Sequence, residues 1–179
     1  MDGIELEIMW GNLISIVSEQ ARALQRIAFS PIVREAGDLA TALFDADGRM
    51  VAQAITGTPG HINSLGAAAR NMIDVIPVEK IVPGDVLITN DPWLSAGHFF
   101  DITVLTPVFR QDKVIGFCGS TIHHTDIGGY GIGAGARDIH EEGLWIPILK
   151  LYEGGIPNAS LHAIIRHNVR TPEAIFGDL

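Results

Sequence analysis

Apolar side chains recur along the first thirty residues at Leu6, Trp10, Leu13, Val17, Ala21, Leu24 and Ala28, in steps of three and four. That spacing predicts one buried stripe on a long helix. Ser30-Pro31 should end it, because proline lacks the helical donor and restrains the residue before it. The pattern then changes period. "LATALFDADGRMVAQ" reads as two strands joined at Asp47-Gly48. "INSLGAAARNMIDVI" returns to a helical period, with Asn63 or Ser64 available as its N-cap. "VPGDVLITNDP" is a turn leading into a short buried strand. Two β-rich runs follow, "DITVLTPVF" and "KVIGFCGSTI", separated by Arg110, Gln111 and Asp112, and they predict a long hairpin. Ile127 to Gly135 is glycine-rich and should be loop. "SLHAIIRHNVRTPEAIF" predicts a last helical region broken near Thr171-Pro172. With no repeat and no low-complexity linker, residues 1–179 read as one domain of α+β class. Antiparallel hairpins would pack against the long N-terminal helix and the shorter ones. The stop at "IFGDL" without a closing element suggests that this domain is incomplete.

Composition narrows the partners. Apolar residues make up 47% and charged residues 18%, with a net charge of -9. No run of basic residues offers a footprint for nucleic acid or an anionic membrane surface. No stretch of about 18 apolar residues is long enough for a spanning helix. "MDGIELEIMW" is acidic where a signal peptide would be basic, so the expected location is cytoplasmic. The one cysteine, Cys118, lies in an apolar run and reads as a small buried hydrophobe.

The chemistry concentrates at the open end of the predicted hairpin, where His98, Asp101, His123, His124 and Asp126 fall together. A two-residue turn at Gln111-Asp112 would set Phe100 opposite His123, and Asp101 would then share a face with His124. A three-residue loop would set Asp101 opposite His123. In either register two imidazoles and a carboxylate reach one another. They could cap strands and hydrogen-bond among themselves. They could also hold Zn, Mn or Fe, since imidazole suits borderline transition metals and carboxylate adds an anionic oxygen. Asp38 is a candidate fourth ligand. Asp126 is either an acceptor that orients an imidazole or a turn residue. His140, Glu141 and Glu142 resemble a metal cluster but belong to a helix end, with Glu142 the one to watch. Gly131, Gly133 and Ala136 satisfy G-x-G-x-x-A, yet the strand before and the long helix after that a dinucleotide site needs are missing. Neither a Walker-type phosphate loop nor a G-x-S-x-G elbow occurs.

Several of these segments, "GDVLITNDPWLSAGHFFDITVLTPVF", "IHHTDIGGYG", "DIHEEGLWIPILKL" and "NVRTPEAIFGDL" among them, resemble the N-terminal part of hydantoinase B/oxoprolinase family subunits, the N-methylhydantoinase B type above all. The resemblance runs through the whole chain in order. It implies a hetero-oligomeric, two-component enzyme. A hydantoinase A-type partner binds ATP and phosphorylates a small-molecule substrate, and the B-type subunit completes hydrolysis of the activated cyclic amide. In acetone and acetophenone carboxylase relatives it carboxylates an activated enol instead. By the same resemblance a divalent metal (manganese in the acetone carboxylases) falls on His98, Asp101 and His123, with His124 or Asp126 to move protons. The family often carries Gly or Thr where this chain has Ser95-Ala96, and its members run several hundred residues longer. A fragment of this kind could also serve as a non-catalytic scaffold for the ATPase partner.

Overall fold

The computed structural model describes residues 2–179. Its centre is one antiparallel sheet of seven strands: β1 (Leu39–Asp45), β2 (Met50–Gln53), β3 (Val86–Thr89), β4 (Asp101–Arg110), β5 (Lys113–His123), β6 (Leu149–Glu153) and β7 (Ile156–Pro157). They lie in the order β2-β1-β5-β4-β3-β6-β7. Six helices complete an α+β fold: α1 (Gly3–Ile27), α2 (Pro31–Arg34), α3 (Pro59–Val75), α4 (Ile139–Glu142), α5 (Ala159–Asn168) and α6 (Pro172–Asp178).

Strand alternation sorts the core into two layers. On one face Ala40, Ala42, Phe44, Leu87, Leu105 and Phe117 pack under α3 through Leu65, Ala69 and Met72. On the other, Leu39 and Ile122 meet Ala21 of α1 and Ala28 at its C-cap. Farther along that face, Ile88 and Ile102 meet Leu161, Ile165 and Ile175 of α5 and α6. At Gly119 the α3 layer closes so tightly that a Cβ would stand 2.8 Å from the Phe44 ring and 3.3 Å from both Leu65 and Leu105. Gly119→Ala should therefore cost about 1–3 kcal/mol through overpacking, read as a lower denaturant midpoint.

Several elements differ from the sequence-based expectation, each for a local reason. The apolar stripe of α1 is buried only in its second half: Val17 and Ala21 are covered, whereas Leu6 and Trp10 are about half exposed. A 25-residue helix is about 37 Å long and the seven-residue β1 about 23 Å, so the first turns of α1 overhang the sheet. There Trp10 donates its indole N–H to the Val51 carbonyl at 3.1 Å. Ser30-Pro31 ends α1 as expected, but Pro31 also opens α2, occupying the first turn where its missing donor costs nothing. By the same logic α3 begins at Pro59, with Thr58 as its cap position, and not at the expected Asn63 or Ser64. The pair β6–β7 carries no strong strand pattern in the sequence, because "ILKLYEGGIP" is short and half exposed.

The hairpin resolves the register question by combining both alternatives. Arg110 pairs with Lys113 and Phe109 with Val114, so the turn has two residues, Gln111 at φ 54 and Asp112. The register then shifts, leaving Ile115 as an extra residue, and Val108 pairs with Gly116. From that bulge onward the alignment is that of the longer loop, and Asp101 lies directly opposite His123.

Candidate metal centre

Because of that bulge, Asp101, Thr103, Thr121 and His123 project from the α3-covered face at one end of the sheet. Asp38 precedes β1, and its carbonyl accepts from the His123 N–H at 3.2 Å, so three neighbouring strands contribute to one row. Asp101 is the hub and is only 1% exposed. Its Oδ1 lies 2.8 Å from His123 Nδ1, and its Oδ2 lies 2.9 Å from His98 Nε2 and 2.8 Å from His61 Nε2. Below the hub, Ser95, Thr103 and Thr121 form a hydroxyl row with spacings of 2.6 and 2.8 Å. Phe100 stacks on the His123 ring with centroids 5.8 Å apart.

No local sequence pattern marks His61 as part of this group. Starting α3 at Pro59 puts His61 in its first turn, where the helix end overlies the row. The Pro at the first helical position was the available signal. Behind it stands Asp38, whose Oδ1 accepts from the Thr58 hydroxyl at 2.6 Å and lies 3.6 Å from His61 Nδ1. That buried nitrogen has no hydrogen-bond partner. Asp38 thus backs His61 and is not part of the inner group.

Electrostatics follow from this crowding. Burial alone would raise the Asp101 pKa, but hydrogen bonds from His123, His61 and His98 outweigh it and hold the carboxyl well below the usual range. His98 is raised, first by its hydrogen bond to Asp101, with burial opposing and the charges of Asp101, Glu142 and Asp38 adding. The Cys118 thiol is pushed up by burial, away from thiolate.

The donor set fits a divalent transition metal. The donor atoms of His98, Asp101 and His123 all lie within 4.8 Å of one another. Ligands about 2.1 Å from a common ion stand roughly 3–4 Å apart, so small side-chain adjustments suffice. Two nitrogens and one carboxylate leave further positions open, and His61 stands beside the group through its contact with Asp101, its remote nitrogen facing the Asp38 carboxylate.

The two expected proton carriers lie elsewhere. His124 follows His123, so alternation sends it to the opposite face, where it is fully buried and neither ring nitrogen has a partner. Burial pushes its pKa down to about 4, against the nearby charge of Asp178. Asp126 accepts from the backbone N–H groups of Gly128, Arg170 and Thr171 and from the Arg170 guanidinium. Its carboxylate pins the glycine-rich loop to the start of α6. His140 is exposed on α4, and Glu141 is taken by Arg137 at 2.7 Å. Glu142 turns inward and accepts from the Phe99 N–H at 2.8 Å.

Known proteins share this arrangement of chain. The putative B subunit of a D-/L-hydantoinase from Pseudomonas sp. is 30% identical over 185 residues, covering 100% of this chain and 31% of its own. Among solved structures, nucleotide-free acetone carboxylase superposes with a TM-score of 0.88 at 25% identity, covering 99% of this chain and 24% of that one. An ATP-dependent caprolactamase from Pseudomonas jessenii gives 0.86 at 28% identity, covering 99% and 31%. The chain thus spans about a third of the length of the hydantoinase polypeptide and of the caprolactamase chain. Among the described residues no helix is long and apolar enough to cross a membrane. A family model described as hydantoinase B/oxoprolinase matches residues 2–179, and the chain belongs to that family.

Proposed function

We propose that this chain is the metal-binding core of the B-type subunit of an ATP-dependent cyclic-amide hydrolase. It would act in the cytoplasm on a lactam or hydantoin phosphorylated by a hydantoinase A-type partner, which binds the ATP. The observation that carries this reading is the convergence of His98, Asp101 and His123 on one point, with His61 facing the same carboxylate. Those residues would hold Mn, Zn or Fe, and such an ion supplies Lewis-acid polarisation of a carbonyl or phosphoryl oxygen.

The chain's own groups supply the rest. Asp101 gathers the imidazoles at fixed spacing. The Thr58 hydroxyl fixes the Asp38 carboxylate, which supplies a negative charge 3.6 Å behind the His61 ring. Phe100 covers one side of the His123 ring and excludes water there. His98, the most exposed of the three imidazoles at Asp101, borders solvent and is the group placed to meet a substrate. The overhanging apolar turns of α1, with Ile4, Leu6, Ile8 and Trp10 exposed, offer a surface for a hetero-oligomeric partner.

The likeness to acetone carboxylase supports a second reading, carboxylation of an enol phosphate. Bicarbonate-dependent ATP consumption with ketones marks that branch, and ATP consumption with lactam or hydantoin alone marks hydrolysis. For either, the test is elemental analysis of the purified chain and of His98→Ala, with turnover measured beside the A-type partner and ATP. The wild type should carry about one equivalent of metal. His98→Ala should lose at least about tenfold in affinity and more in turnover. Full turnover by metal-free protein would end the proposal, leaving a scaffold role.

A further inference from the structure

Asp101 and His123 are fixed by the β4–β5 ladder, but His98 is not. It sits on the irregular segment between β3 and β4, and its ring position depends on how that segment is held. The next residue, Phe99, is gripped at both backbone groups by side chains from elsewhere. Its N–H donates to Glu142 Oε2 at 2.8 Å, and its carbonyl accepts from Asn90 Nδ2 at 2.8 Å. Asn90 is fully buried and uses its whole amide: Nδ2 also donates to the Leu144 carbonyl at 2.9 Å, and Oδ1 accepts from the Ile146 N–H at 2.6 Å. Glu142 is aimed inward by Gly143, whose φ is 149 and where a Cβ would stand 2.4 Å from the Ile127 carbonyl oxygen. The Phe99 side chain is itself fully buried, with Trp145 at 5.6 Å.

We propose that Asn90 and Glu142 are positioning residues that clamp the Phe99 backbone and so hold His98 at ligand distance from Asp101. The inference rests on the metal reading above. Only an amide can both donate to two carbonyls and accept from an N–H, so aspartate and leucine of similar volume cannot replace Asn90. Glu142 serves through an acceptor oxygen, which glutamine retains.

The test is chelator-competition titration of the full chain with Mn2+ and with Zn2+, beside hydrogen exchange of the amides of residues 97–100. Asn90→Ala and Glu142→Ala should weaken metal binding about 10–100-fold, as loss of an outer support does elsewhere. Both should speed exchange at 97–100 while β4 and β5 stay protected. Glu142→Gln should remain within about threefold of wild type. Gly119→Ala is the control for general destabilisation, lowering stability with unchanged affinity. Unchanged affinity and exchange in both alanine variants overturns the clamp. A wild type that binds neither ion overturns the metal reading, and the exchange data still decide whether the clamp exists.

Discussion

Asp101→Ala should strip the chain of metal and of turnover together: stoichiometry below about 0.1 and activity down by more than about 10³-fold in the presence of the A-type partner and ATP. The effect should exceed that of any single histidine, because the geometry is not a ring of equal ligands. One carboxylate serves three imidazoles, through Oδ1 to His123 and Oδ2 to both His98 and His61. Removing one imidazole leaves the other two anchored, whereas removing the carboxylate releases all of them. The same reasoning fixes the sign of the stability change. A cluster of like charges would relax when a ligand is deleted, but here a buried anion is compensated by hydrogen-bond donors. The metal-free variant should be less stable than metal-free wild type by about 2–4 kcal/mol at neutral pH. The depressed Asp101 pKa sharpens this. Its stabilising contribution is present above the unfolded-state value near 3.9 and is lost as pH falls below it. The gap between variant and wild type should therefore close in strong acid. Equal metal content in Asp101→Ala and wild type, with equal melting in chelator, would leave this account without its hub.

How far the sequence predicts the site depends on which interaction fixes each residue. The spacing of His98, Asp101 and His123 across one hairpin is a local matter, and "DITVLTPVF" and "KVIGFCGSTI" sufficed to bring them together. Which face they share was not local. It hinged on Ile115 bulging from β5, set where Gly116 packs so closely on β1 that a Cβ would stand 2.4 Å from the Phe44 carbonyl oxygen. A contact with a strand some seventy residues earlier is invisible to turn chemistry. His61 depends on α3 being laid over that face by Leu65, Ala69 and Met72, and Asn90 on a partner segment more than fifty residues away. Asp126 precedes a Gly-Gly pair and so offered a turn as readily as a proton carrier. Its commitment to Arg170 and Thr171 is again a long-range fact.

His124 gives the second large effect, and in a separate pH window. It adjoins His123 in sequence but is buried on the far side of the sheet with both nitrogens unpaired. Its pKa of about 4 in the folded chain lies below the unfolded-state value near 6.5, so between these limits the unfolded chain binds the extra proton. Its contribution to stability is complete above about pH 6.5 and is lost as pH falls towards 4, about 3 kcal/mol in all. Nothing further is lost from this group below that. The raised pKa of His98 acts in the opposite sense and only above about pH 6.5, and the carboxylates act below about pH 4. Denaturant titrations of chelator-treated wild type and His124→Leu from about pH 4 to 6.5 read the His124 contribution as the difference between the two profiles. His124→Leu, close in volume and without unpaired nitrogens, should match or exceed wild-type stability at pH 7 and flatten the slope below it. It should also keep its metal and most of its turnover. A flat wild-type profile would contradict the burial argument, and a stable, metal-loaded His124→Leu with no turnover would return His124 to the chemistry.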